Sequence, residues 1–398
     1  MSIVRHAVTL PWWGRCSDLA LDWRDRVLAS ARFQRAASAF ALTRPVARRK
    51  ARALFDLVAG FVYSQVLLAC VRLGLFELLA QGPLPLDAVA RQLGLRADAA
   101  QRLLAAAVSL RLVERRSRGR YGLGELGAPM VGNSAVAAMV EHHAALYTDL
   151  ADPVALLRAP AGAHRDSELA RYWSYAEAPA VAPHSRQRMA TYTALMSASQ
   201  PLVADEILDA YALRKHGCLL DVGGGDGTFL RAVARRAPHL RLKLFDLPAV
   251  IDQAGQRLGA AGLAGRVDLH AGSFLRDALP GGADVATLVR VVHDHDDTDA
   301  MTILRAVRRA LPSAGTVLLA EPMAGTPGAQ AMGDAYFGFY LLAMGRGRPR
   351  SAGELTEMLH EAGFERVRQV RTRVPMQTQL LVARVARINP ESPAVNSS

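Results

Sequence analysis

A row of titratable side chains follows an apolar stretch that predicts a strand over residues 284–292. The row runs from His293 to Asp297 without interruption. In open α/β sheets, ligands bind beyond the carboxyl ends of the strands, which is where these side chains would lie. A histidine with an ordinary pKa of about 6.5 can accept the proton of a hydroxyl group while that group is alkylated. His293 is therefore a candidate general base.

Two other interpretations of the same residues stay open. His293 and His295 stand two positions apart and would share one face of a strand, as two ligands of a metal ion. Asp296 or Asp297 would cap a helix that runs through Arg305. Capping is compatible with a base, because different residues do the two jobs. A metal site is disfavoured, since no third ligand follows at a recognisable spacing and no cysteine is near, so we predict no bound metal.

A glycine-rich turn lies earlier in the chain. The segment Leu219–Leu230 predicts a strand, a glycine turn and a helix in succession. Such a turn lets a nucleotide-like ligand touch bare backbone. It is neither a dinucleotide fingerprint, whose third glycine would fall on Thr228, nor a phosphate-binding Walker loop, which needs a Lys-Ser/Thr pair. Its pattern is Asp-x-Gly-x-Gly-x-Gly, formed by Asp221, Gly223, Gly225 and Gly227.

A second acid strengthens the case for a nucleoside-like ligand. The short strand predicted over residues 242–246 ends in Asp246. In doubly wound folds, an acid at the tip of the strand after the glycine turn hydrogen-bonds the ribose hydroxyls. A tight turn beside an ordinary surface aspartate is the alternative, and the agreement of turn, strand and acid disfavours it.

Length and composition predict two globular domains in a reducing compartment. The chain has 398 residues, 51% of them hydrophobic, which is long for a single core. Its three cysteines are scattered, as expected for a cytoplasmic protein. No signal peptide is predicted, and no uncharged apolar run reaches about 18 residues, so we expect no membrane-spanning segment.

Positive charge is concentrated at the N-terminus. The net charge is +12, and the first 50 residues hold ten Arg or Lys against three Asp, a net of +7. This pattern is typical of a segment that binds a membrane surface or an anionic polymer. A solvated arginine-rich extension is equally compatible with it. The aromatic residues interleaved with the charges are Trp12, Trp13, Trp23, Phe33 and Phe40.

The part of the chain before residue 200 is predicted to be helical. Residues 51–80 predict one or two apolar helices, buried on most sides and packed against a partner chain. Helices over 86–93 and 97–110, followed by a basic hairpin around residues 117–119, match a winged helix-turn-helix. The second of these helices offers only one glutamine and one arginine for reading bases, so nucleic-acid binding is disfavoured.

Apolar runs alternate with helical segments from Cys218 onward. This alternation predicts a parallel sheet with helices on both faces. Two final strands, residues 364–372 and 379–385, have no helix between them and are expected to form an antiparallel pair. The other strands are predicted at residues 218–222, 242–246, 266–270, 284–292 and 315–321.

The predicted fold class is therefore α/β, a doubly wound and mostly parallel seven-stranded sheet preceded by an all-α and winged-helix domain. Residues 1–49 are predicted to form a basic extension and residues 50–200 the helical winged-helix domain. Residues 201–387 are predicted to form the ligand-binding α/β domain, and residues 388–398 a disordered tail.

Several segments carry a resemblance to a known family. Residues 221–228, 244–248 and 291–297 read Asp-Val-Gly-Gly-Gly-Asp-Gly-Thr, Leu-Phe-Asp-Leu-Pro and Val-Val-His-Asp-His-Asp-Asp. They resemble the S-adenosylmethionine-dependent O-methyltransferases that join a winged-helix dimerisation domain to a methyltransferase domain. The resemblance extends from about residue 50 to residue 385. It implies S-adenosylmethionine as the cofactor and a homodimer as the assembly.

A narrower resemblance lies in residues 53–67, 142–155 and 335–340. These segments are similar to the bacterial carotenoid O-methyltransferases that act on hydroxyneurosporene and demethylspheroidene. The resemblance implies a hydrophobic, hydroxylated carotenoid as the substrate. A carotenoid substrate in turn makes peripheral contact with an anionic membrane an expected property of the protein.

The family pattern implies roles for the residues around the candidate base. The histidine of its His-Asp pair is the base, which falls on His293, and Asp294 helps to orient it. A glutamate that ends the following strand holds the other imidazole nitrogen and falls on Glu321. The sequence departs from the pattern at Pro349, where the plant enzymes have a second supporting glutamate.

The resemblance also implies a cofactor site. The acid that usually follows the adenine-side strand is Ser273 here, so the adenine is expected to stack on Phe274. Arg290, at the end of the strand before the base, is assigned to the same site. The predicted cofactor-binding residues are Asp221, Gly223, Gly225, Gly227, Asp246, Ser273, Phe274 and Arg290.

The implied function is methylation of the tertiary C-1 hydroxyl of an acyclic carotenoid. Such an alcohol is far less acidic than a phenol of pKa about 10, so it needs a base and close alignment of the reacting atoms. A polyketide or phenolic O-methyltransferase is the alternative within the enzyme class, and a winged-helix regulator that senses S-adenosylmethionine is the alternative outside it. The residues expected to line an acceptor tunnel are Tyr336, Phe337, Phe339, Tyr340, Met344, Tyr192 and Met196.

Overall fold

The computed structural model describes residues 12–160, 167–173, 197 and 199–386. The chain divides into two compact units, residues 1–131 and 132–398. The predicted tail over residues 388–398 lies outside the described residues, as do the tunnel candidates Tyr192 and Met196.

The described part of the first unit consists of helices and one small sheet. The three strands of that sheet lie in the order β1-β3-β2. The helices are α1 (Trp12–Ala29), α2 (Ala31–Ala39), α3 (Arg44–Arg72), α4 (Leu75–Ala80), α5 (Leu86–Gln92) and α6 (Ala97–Ser109), and the strands are β1 (Leu84–Pro85), β2 (Val113–Arg115) and β3 (Arg120–Leu123).

The winged-helix pattern predicted from the sequence is present in this unit. Strands β2 and β3 form an antiparallel hairpin in which Val113 pairs with Leu123. Helix α6 buries Ala100, Leu104 and Ala107, whose spacing places them on one side of the helix. The apolar period of the sequence therefore predicted both the helix and the face that packs.

The first half of α3 is exposed in a single copy of the chain. Leu68 and Cys70 near the end of α3 are buried within the single chain, whereas the burial predicted for the first half of the segment would have to come from the predicted partner chain. An exposed apolar stripe of this length is unusual for a protein surface and marks a contact surface. Its exposed members are Leu54, Phe55, Leu57, Val58, Phe61 and Val62.

Helix α3 also has a composition that bears on membranes. Among the described residues, it is the one helix long and apolar enough to cross a membrane, judged by length and composition alone. Only 11% of its most apolar 18-residue window is buried. The sequence predicts no membrane-spanning segment because no uncharged apolar run reaches about 18 residues. Within α3, the uncharged run begins only after Asp56.

The described part of the second unit is built around a seven-stranded sheet in the order β6-β5-β4-β7-β8-β10-β9. The strands are β4 (Cys218–Val222), β5 (Arg241–Asp246), β6 (Val267–Ala271), β7 (Val285–Val289), β8 (Thr316–Glu321), β9 (Phe364–Val370) and β10 (Gln379–Val385). The helices are α7 (Ser134–Asp149), α8 (Pro153–Arg158), α9 (Ala170–Trp173), α10 (described over residues 199–210), α11 (Thr228–Arg236), α12 (Pro248–Ala260), α13 (Asp297–Ala310), α14 (Phe337–Met344) and α15 (Ala352–Glu361).

The sheet is doubly wound and mostly parallel, as predicted. Strands β4, β7 and β8 are buried along their whole length, because helices cover both faces of the sheet. Successive side chains point to opposite faces, so Leu219 packs into one apolar cluster and Leu220 into the other. The last two strands form the predicted antiparallel pair, and β10 also pairs antiparallel with β8.

The strand predicted over residues 284–292 is shorter in the structure. It ends at Val289, and residues 292–294 form a 3-10 turn instead. The cause is Glu321 at the end of β8, whose carboxylate accepts hydrogen bonds from the backbone N–H groups of Val291 and Val292, at 3.1 and 2.7 Å. Because these groups bond to a side chain, the strand ladder does not continue.

The division between the units also differs from the predicted boundary at residue 200. Helix α7 belongs to the second unit, where it packs against α14. One hydrogen bond joins these helices, between His142 Nε2 and the hydroxyl of Tyr340 at 2.9 Å, and a second joins His143 Nε2 of α7 to the hydroxyl of Tyr336, just before α14, at 2.8 Å.

Candidate active site

The candidate site lies where the order of the sheet reverses. The chain runs outward from β4 through β5 to β6 and then returns to the other side of β4 to form β7 and β8. In open α/β sheets, the crevice for a ligand forms at this switch point, outside the carboxyl ends of the strands. Asp246 ends β5 and Glu321 ends β8, while the glycine turn follows β4 and His293 follows β7.

The imidazole of His293 lies between two carboxylates. Its Nδ1 forms a short hydrogen bond with Glu321, and its Nε2 lies 3.1 Å from Asp294 Oδ1. All three residues are buried, with exposed fractions of 6% for His293, 6% for Asp294 and 1% for Glu321. The structure therefore brings together the three residues predicted to be catalytic.

These contacts set the protonation behaviour of His293. Burial lowers the pKa of its imidazole, but the charges of Asp294 and Glu321, together with the hydrogen bond to Glu321, raise it, and the net direction is upward. The pKa of Asp294 rises to about 6, mainly because burial disfavours its charge. An imidazole held in this way can accept a proton and retain the resulting charge, because a carboxylate lies at each nitrogen.

The turn does not have the strand geometry on which the metal interpretation depends. Residues 292–294 are not a strand, so His293 and His295 do not share a strand face. His295 packs its ring edge-to-face with Phe274 at a centroid distance of 5.2 Å. Within the part of the chain that the structure describes, no group of three or more His, Cys, Asp or Glu is placed to hold a metal ion.

The helix begins where the capping interpretation predicts, but Asp296 does not form the expected capping hydrogen bond. Asp296 is the N-cap residue of α13, and its side chain makes no capping hydrogen bond. Its Oδ1 accepts a hydrogen bond from the backbone N–H of Gly347 instead, at 2.9 Å. Asp296 therefore ties the turn after β7 to the segment that precedes α15.

The glycine turn after β4 exposes its backbone. Gly223, Gly225 and Gly227 all have positive φ angles, of 68°, 60° and 78°. No atom lies within 4 Å of the position that a Cβ on Gly225 would occupy, so the backbone there faces open space. The N–H of Gly225 donates to Asp246 Oδ2 at 2.8 Å, which joins the turn to the acid at the tip of β5.

Two carboxylates border this turn, Asp221, which is buried, and Asp246, which is half-buried. Asp221 accepts a hydrogen bond from Thr287 Oγ1 at 2.7 Å, while its Oδ2 has no hydrogen-bond partner among the described residues. Burial raises the pKa of Asp221 to about 7 and that of Asp246 to about 6. A cation bound beside them would favour their ionised forms.

An aromatic group stands on the other side of the turn. The ring of Phe274 lies 3.5 Å from the position of a Cβ on Gly223. The backbone N–H of Ser273, the residue before Phe274, donates a hydrogen bond to Asp277 Oδ2 at 2.7 Å. His295, beside Phe274, is 5% exposed and has a buried Nδ1 without a hydrogen-bond partner in the described residues. His295 is not among the cofactor-binding residues predicted from the sequence.

Arg290, directly after β7, has an unusual backbone conformation. Its φ of 57° is positive, which a residue other than glycine adopts rarely and mostly where the surroundings hold it. Its backbone N–H donates to the carbonyl of Ala320 at 2.8 Å, and its Nη1 donates to Ser199 Oγ at 2.8 Å. The guanidinium is thereby held near the end of β7.

These features fit the cofactor predicted from the sequence. S-adenosylmethionine carries a cationic amino group and a sulfonium, which the buried carboxylate of Asp221 complements, and a ribose, which the acid at the tip of β5, Asp246, can bind. The open backbone at Gly225 and the unpaired Asp221 Oδ2 and His295 Nδ1 leave polar atoms available to a ligand. The residues present therefore fit this group.

An aromatic wall, formed by Tyr336, Phe337 and Tyr340, adjoins the base. The ring of Phe337 packs edge-on against His293 at a centroid distance of 5.8 Å, and Tyr336 packs against Phe337 at 5.1 Å. Tyr336 ends a π-helical turn, Ala331–Tyr336, which leads into α14; such turns occur often at functional sites. The two histidines that pair with the tyrosines of this wall lie in a segment quoted for the family resemblance, but sequence reasoning gave them no role.

Two family models match the chain. The O-methyltransferase domain matches residues 147–365, and the O-methyltransferase dimerisation domain matches residues 55–133. The dimerisation domain begins within α3, where the exposed apolar stripe lies.

Curated relatives are similar over most of the chain. Demethylspheroidene O-methyltransferase of Cereibacter sphaeroides is 44% identical over 86% of this chain and 89% of its own length. The protein of the same name from Rhodobacter capsulatus is 41% identical over 90% of this chain and 88% of its own length. A 3-hydroxy-5-methyl-1-naphthoate 3-O-methyltransferase of Streptomyces sahachiroi is 33% identical, over 81% and 92%.

Solved structures share the fold. Human N-acetylserotonin methyltransferase, in complex with S-adenosylmethionine, matches with a TM-score of 0.71 at 23% identity, covering 85% of this chain and 98% of that one. The methyltransferase CalO1 of calicheamicin biosynthesis matches with a TM-score of 0.70 at 29% identity, over 85% and 98%. The predictions of fold class and cofactor are thereby confirmed. The chain belongs to the family of S-adenosylmethionine-dependent O-methyltransferases and carries the dimerisation domain of that family.

Proposed function

We propose that this enzyme methylates the tertiary C-1 hydroxyl of an acyclic carotenoid, converting a compound such as hydroxyneurosporene or demethylspheroidene to its methoxy product. The observation that carries the proposal is the buried imidazole of His293, with a carboxylate on each nitrogen and an aromatic wall beside it. The names and identities of the two demethylspheroidene O-methyltransferases support the substrate class.

In this proposal, His293 is the general base. A tertiary alcohol is a weak acid, so its proton has to leave as the oxygen becomes a nucleophile, and a positioned base lowers the barrier for that step. Glu321 keeps the proton on Nδ1, because its carboxylate is fixed by two backbone N–H groups, and Nε2 is then the basic nitrogen. Asp294 stabilises the imidazolium once Nε2 has accepted the proton.

The cofactor would be held by the residues around the glycine turn. When bound, S-adenosylmethionine supplies an electrophilic methyl group on its sulfonium. Asp246 would bind the ribose hydroxyls, and the backbone of Gly223, Gly225 and Gly227 would lie against the cofactor. Asp221 supplies a buried negative charge for its cationic part. The remaining predicted members of this site are Ser273, Phe274 and Arg290.

The aromatic wall supports an apolar acceptor. The hydroxyls of Tyr336 and Tyr340 are each bonded to a histidine of α7, so the wall presents ring surface rather than unpaired polar atoms. Burial raises the pKa of Tyr336 to about 12 and lowers that of His142 to about 4, so both groups stay neutral near pH 7. A neutral aromatic wall is complementary to a polyene chain.

The function is tested by incubating the protein with S-adenosylmethionine and a purified C-1 hydroxycarotenoid, with mass spectrometry of the products. We expect a product in which one hydrogen is replaced by a methyl group, and none from a carotenoid without the hydroxyl. A parallel reaction with a hydroxynaphthoate tests the phenolic alternative, which the 33% identical relative favours. Methylation of the phenol alone would contradict the carotenoid proposal.

The proposed substrate also requires contact with a membrane, because a long polyene is nearly insoluble in water. The N-terminal helices carry the surface for this contact, since Trp23, Phe40 and Leu42 are exposed by 68%, 58% and 79% among the basic residues of α1 to α3. Trp12 and Trp13 belong to the same predicted segment, but their side chains lie outside the described part of the chain. We place the enzyme in the cytoplasm, peripheral to the inner membrane.

Deletion of residues 1–49 is expected to abolish salt-sensitive binding to anionic vesicles. Each basic residue near such a surface contributes on the order of 1 kcal/mol, and added salt screens this attraction. Flotation with vesicles that contain phosphatidylglycerol measures the binding, and vesicles of phosphatidylcholine alone are the control. Activity on a detergent-dispersed carotenoid is expected to survive the deletion largely intact. If the shortened protein floats as well as the full chain, the N-terminal segment is not the anchor.

A further inference from the structure

Arg350 is an arginine in the interior of the second unit. Its exposed fraction is 2%, and it heads the set of the largest fully buried side chains of the described residues. It lies in the segment between α14 and α15, directly after Pro349, the position at which the sequence departs from the pattern implied by the family resemblance. A buried guanidinium is costly unless its N–H groups are bonded, so its partners indicate why it is there.

Among the described residues, the hydrogen-bond partners of the guanidinium all lie in or directly after the turn that carries the base. Nη1 donates to the carbonyl of Val292 at 2.9 Å, and Nη2 donates to the carbonyl of His295 at 2.7 Å. Nε and Nη2 also donate to Asp297 Oδ1, at 2.9 and 2.7 Å. Two of these acceptors are backbone carbonyls that flank His293 on either side. The Val292 carbonyl also accepts the backbone N–H of His295 at 3.2 Å, and the guanidinium adds a second bond to it while also satisfying the carbonyl of His295.

The backbone of the same segment holds the turn as well. The N–H of Arg348 donates to the carbonyl of His293 at 3.0 Å. Gly347 approaches so closely that a Cβ there would lie 2.2 Å from that carbonyl oxygen. The carbonyl of Arg350 accepts the N–H of Ala324 at 2.9 Å, which joins the segment to the residues just after Glu321. Both members of the His293–Glu321 pair are thus tied to one segment.

We propose that Arg350 is a positioning residue that holds the imidazole of His293 in register with Glu321. Its guanidinium is buried, so it would act through the turn, and its planar fork spans three acceptors, the carbonyls of Val292 and His295 and the carboxylate of Asp297. A lysine has a single nitrogen at its end and cannot reach all three in this fixed geometry. This inference rests on the proposed role of His293 as the base.

Arg350→Lys tests the proposal. A base displaced by about 1 Å costs a reaction on the order of 10²-fold in rate, so we expect kcat to fall by about that factor. The KM for the acceptor and the affinity for S-adenosylhomocysteine are expected to stay nearly unchanged. Contact with Asp294 and Glu321 raises the pKa of His293. If the imidazole moves away from these carboxylates, its pKa falls, and the acid limb of the pH profile of kcat moves to lower pH. A purely structural role would not move that limb.

Arg348→Met is the matched control. Arg348 lies in the same segment and pairs with the same Asp297, but its side chain is 43% exposed and reaches neither backbone carbonyl of the turn. Its backbone bond to His293 does not depend on the side chain. We expect this variant to keep the kcat and the pH profile of the original protein.

Rates are expressed per site that binds S-adenosylhomocysteine in calorimetry, so that loss of folded protein is not counted as loss of turnover. If Arg350→Lys does not fold, Asp297→Ala serves as a second variant, since it removes one anchor of the guanidinium at an exposed position. It is expected to shift the acid limb in the same direction. A folded variant with unchanged kcat and acid limb, or an equal loss in Arg348→Met, would overturn the proposal.

The same assay separates this inference from the proposed function. Rates are measured with whichever acceptor the original protein methylates, so rejection of carotenoids would leave the test of Arg350 in place. If His293→Ala keeps full activity, the base assignment fails, and the role of Arg350 fails with it. If His293→Ala is inactive while Arg350→Lys is normal, only the role of Arg350 fails.

Discussion

His293→Ala is expected to lower kcat by roughly 10²–10⁴-fold, the usual range for the loss of a positioned general base. The affinity for S-adenosylhomocysteine is expected to stay nearly intact, because the glycine turn and Asp246 lie on the other side of the switch point. Steady-state kinetics and calorimetry measure the two quantities. His239→Ala is a suitable control, since this histidine is exposed and distant in sequence from the site.

The pH dependence sharpens this prediction. The base acts in its neutral form, so kcat is expected to fall as the pH drops through the pKa of His293, which lies above its ordinary value. Glu321→Gln removes one of the charges that raise this pKa, so the acid limb of the profile is expected to move to lower pH. Unchanged turnover in His293→Ala, at any pH, would show that another group accepts the proton.

Gly225→Val and Asp246→Ala are expected to lose most of the affinity for S-adenosylhomocysteine while remaining folded. A valine at Gly225 places its side chain in the open space that the cofactor would fill, and it also strains a backbone with φ of 60°. Asp246→Ala removes the ribose acceptor and the partner of the Gly225 N–H. A hydrogen bond to a charged group contributes about 1.5–3 kcal/mol, so we expect at least about a 10-fold loss of affinity.

Two controls match these variants. Gly259→Val introduces the same side chain into α12 at a glycine with no atom within 4 Å of the Cβ position. Asp252→Ala removes an exposed aspartate from the same helix. Calorimetry with S-adenosylhomocysteine is expected to give near-original affinity for both controls. Full affinity in both Gly225→Val and Asp246→Ala would mean that the cofactor binds elsewhere.

Much of the sheet could be predicted from the sequence because its strands are buried on both faces. Mostly apolar runs such as residues 219–222, interrupted only by Asp221, and residues 317–320 are expected to be strands buried in an α/β fold, so their positions in the chain predict the strands. The glycine turn was predictable for a similar reason, since three positive φ angles in five residues require glycine. The strands and the glycine turn are both determined by residues that are close together in the chain.

The turn that carries His293 could not be predicted in the same way. Its conformation depends on the carboxylate of Glu321 and on the guanidinium of Arg350, which are remote in sequence from the turn. No local pattern marks Arg350 as buried in a chain with 48 Lys and Arg residues, where an arginine is expected at the surface. The burial predicted for α3 involves a partner chain, and within one chain its apolar stripe is exposed.

The two histidine–tyrosine bonds that tie α7 to residues 336–340 have an evolutionary consequence. Replacing Tyr336 by phenylalanine alone would strand the Nε2 of His143 in a largely apolar environment, which costs about 1–3 kcal/mol, whereas replacing both partners by apolar residues of similar shape is nearly neutral. The same holds for His142 and Tyr340. When enzymes of this lineage acquire new acceptors, these positions are therefore expected to covary as pairs, so that ancestral states that differ at only one member are rare.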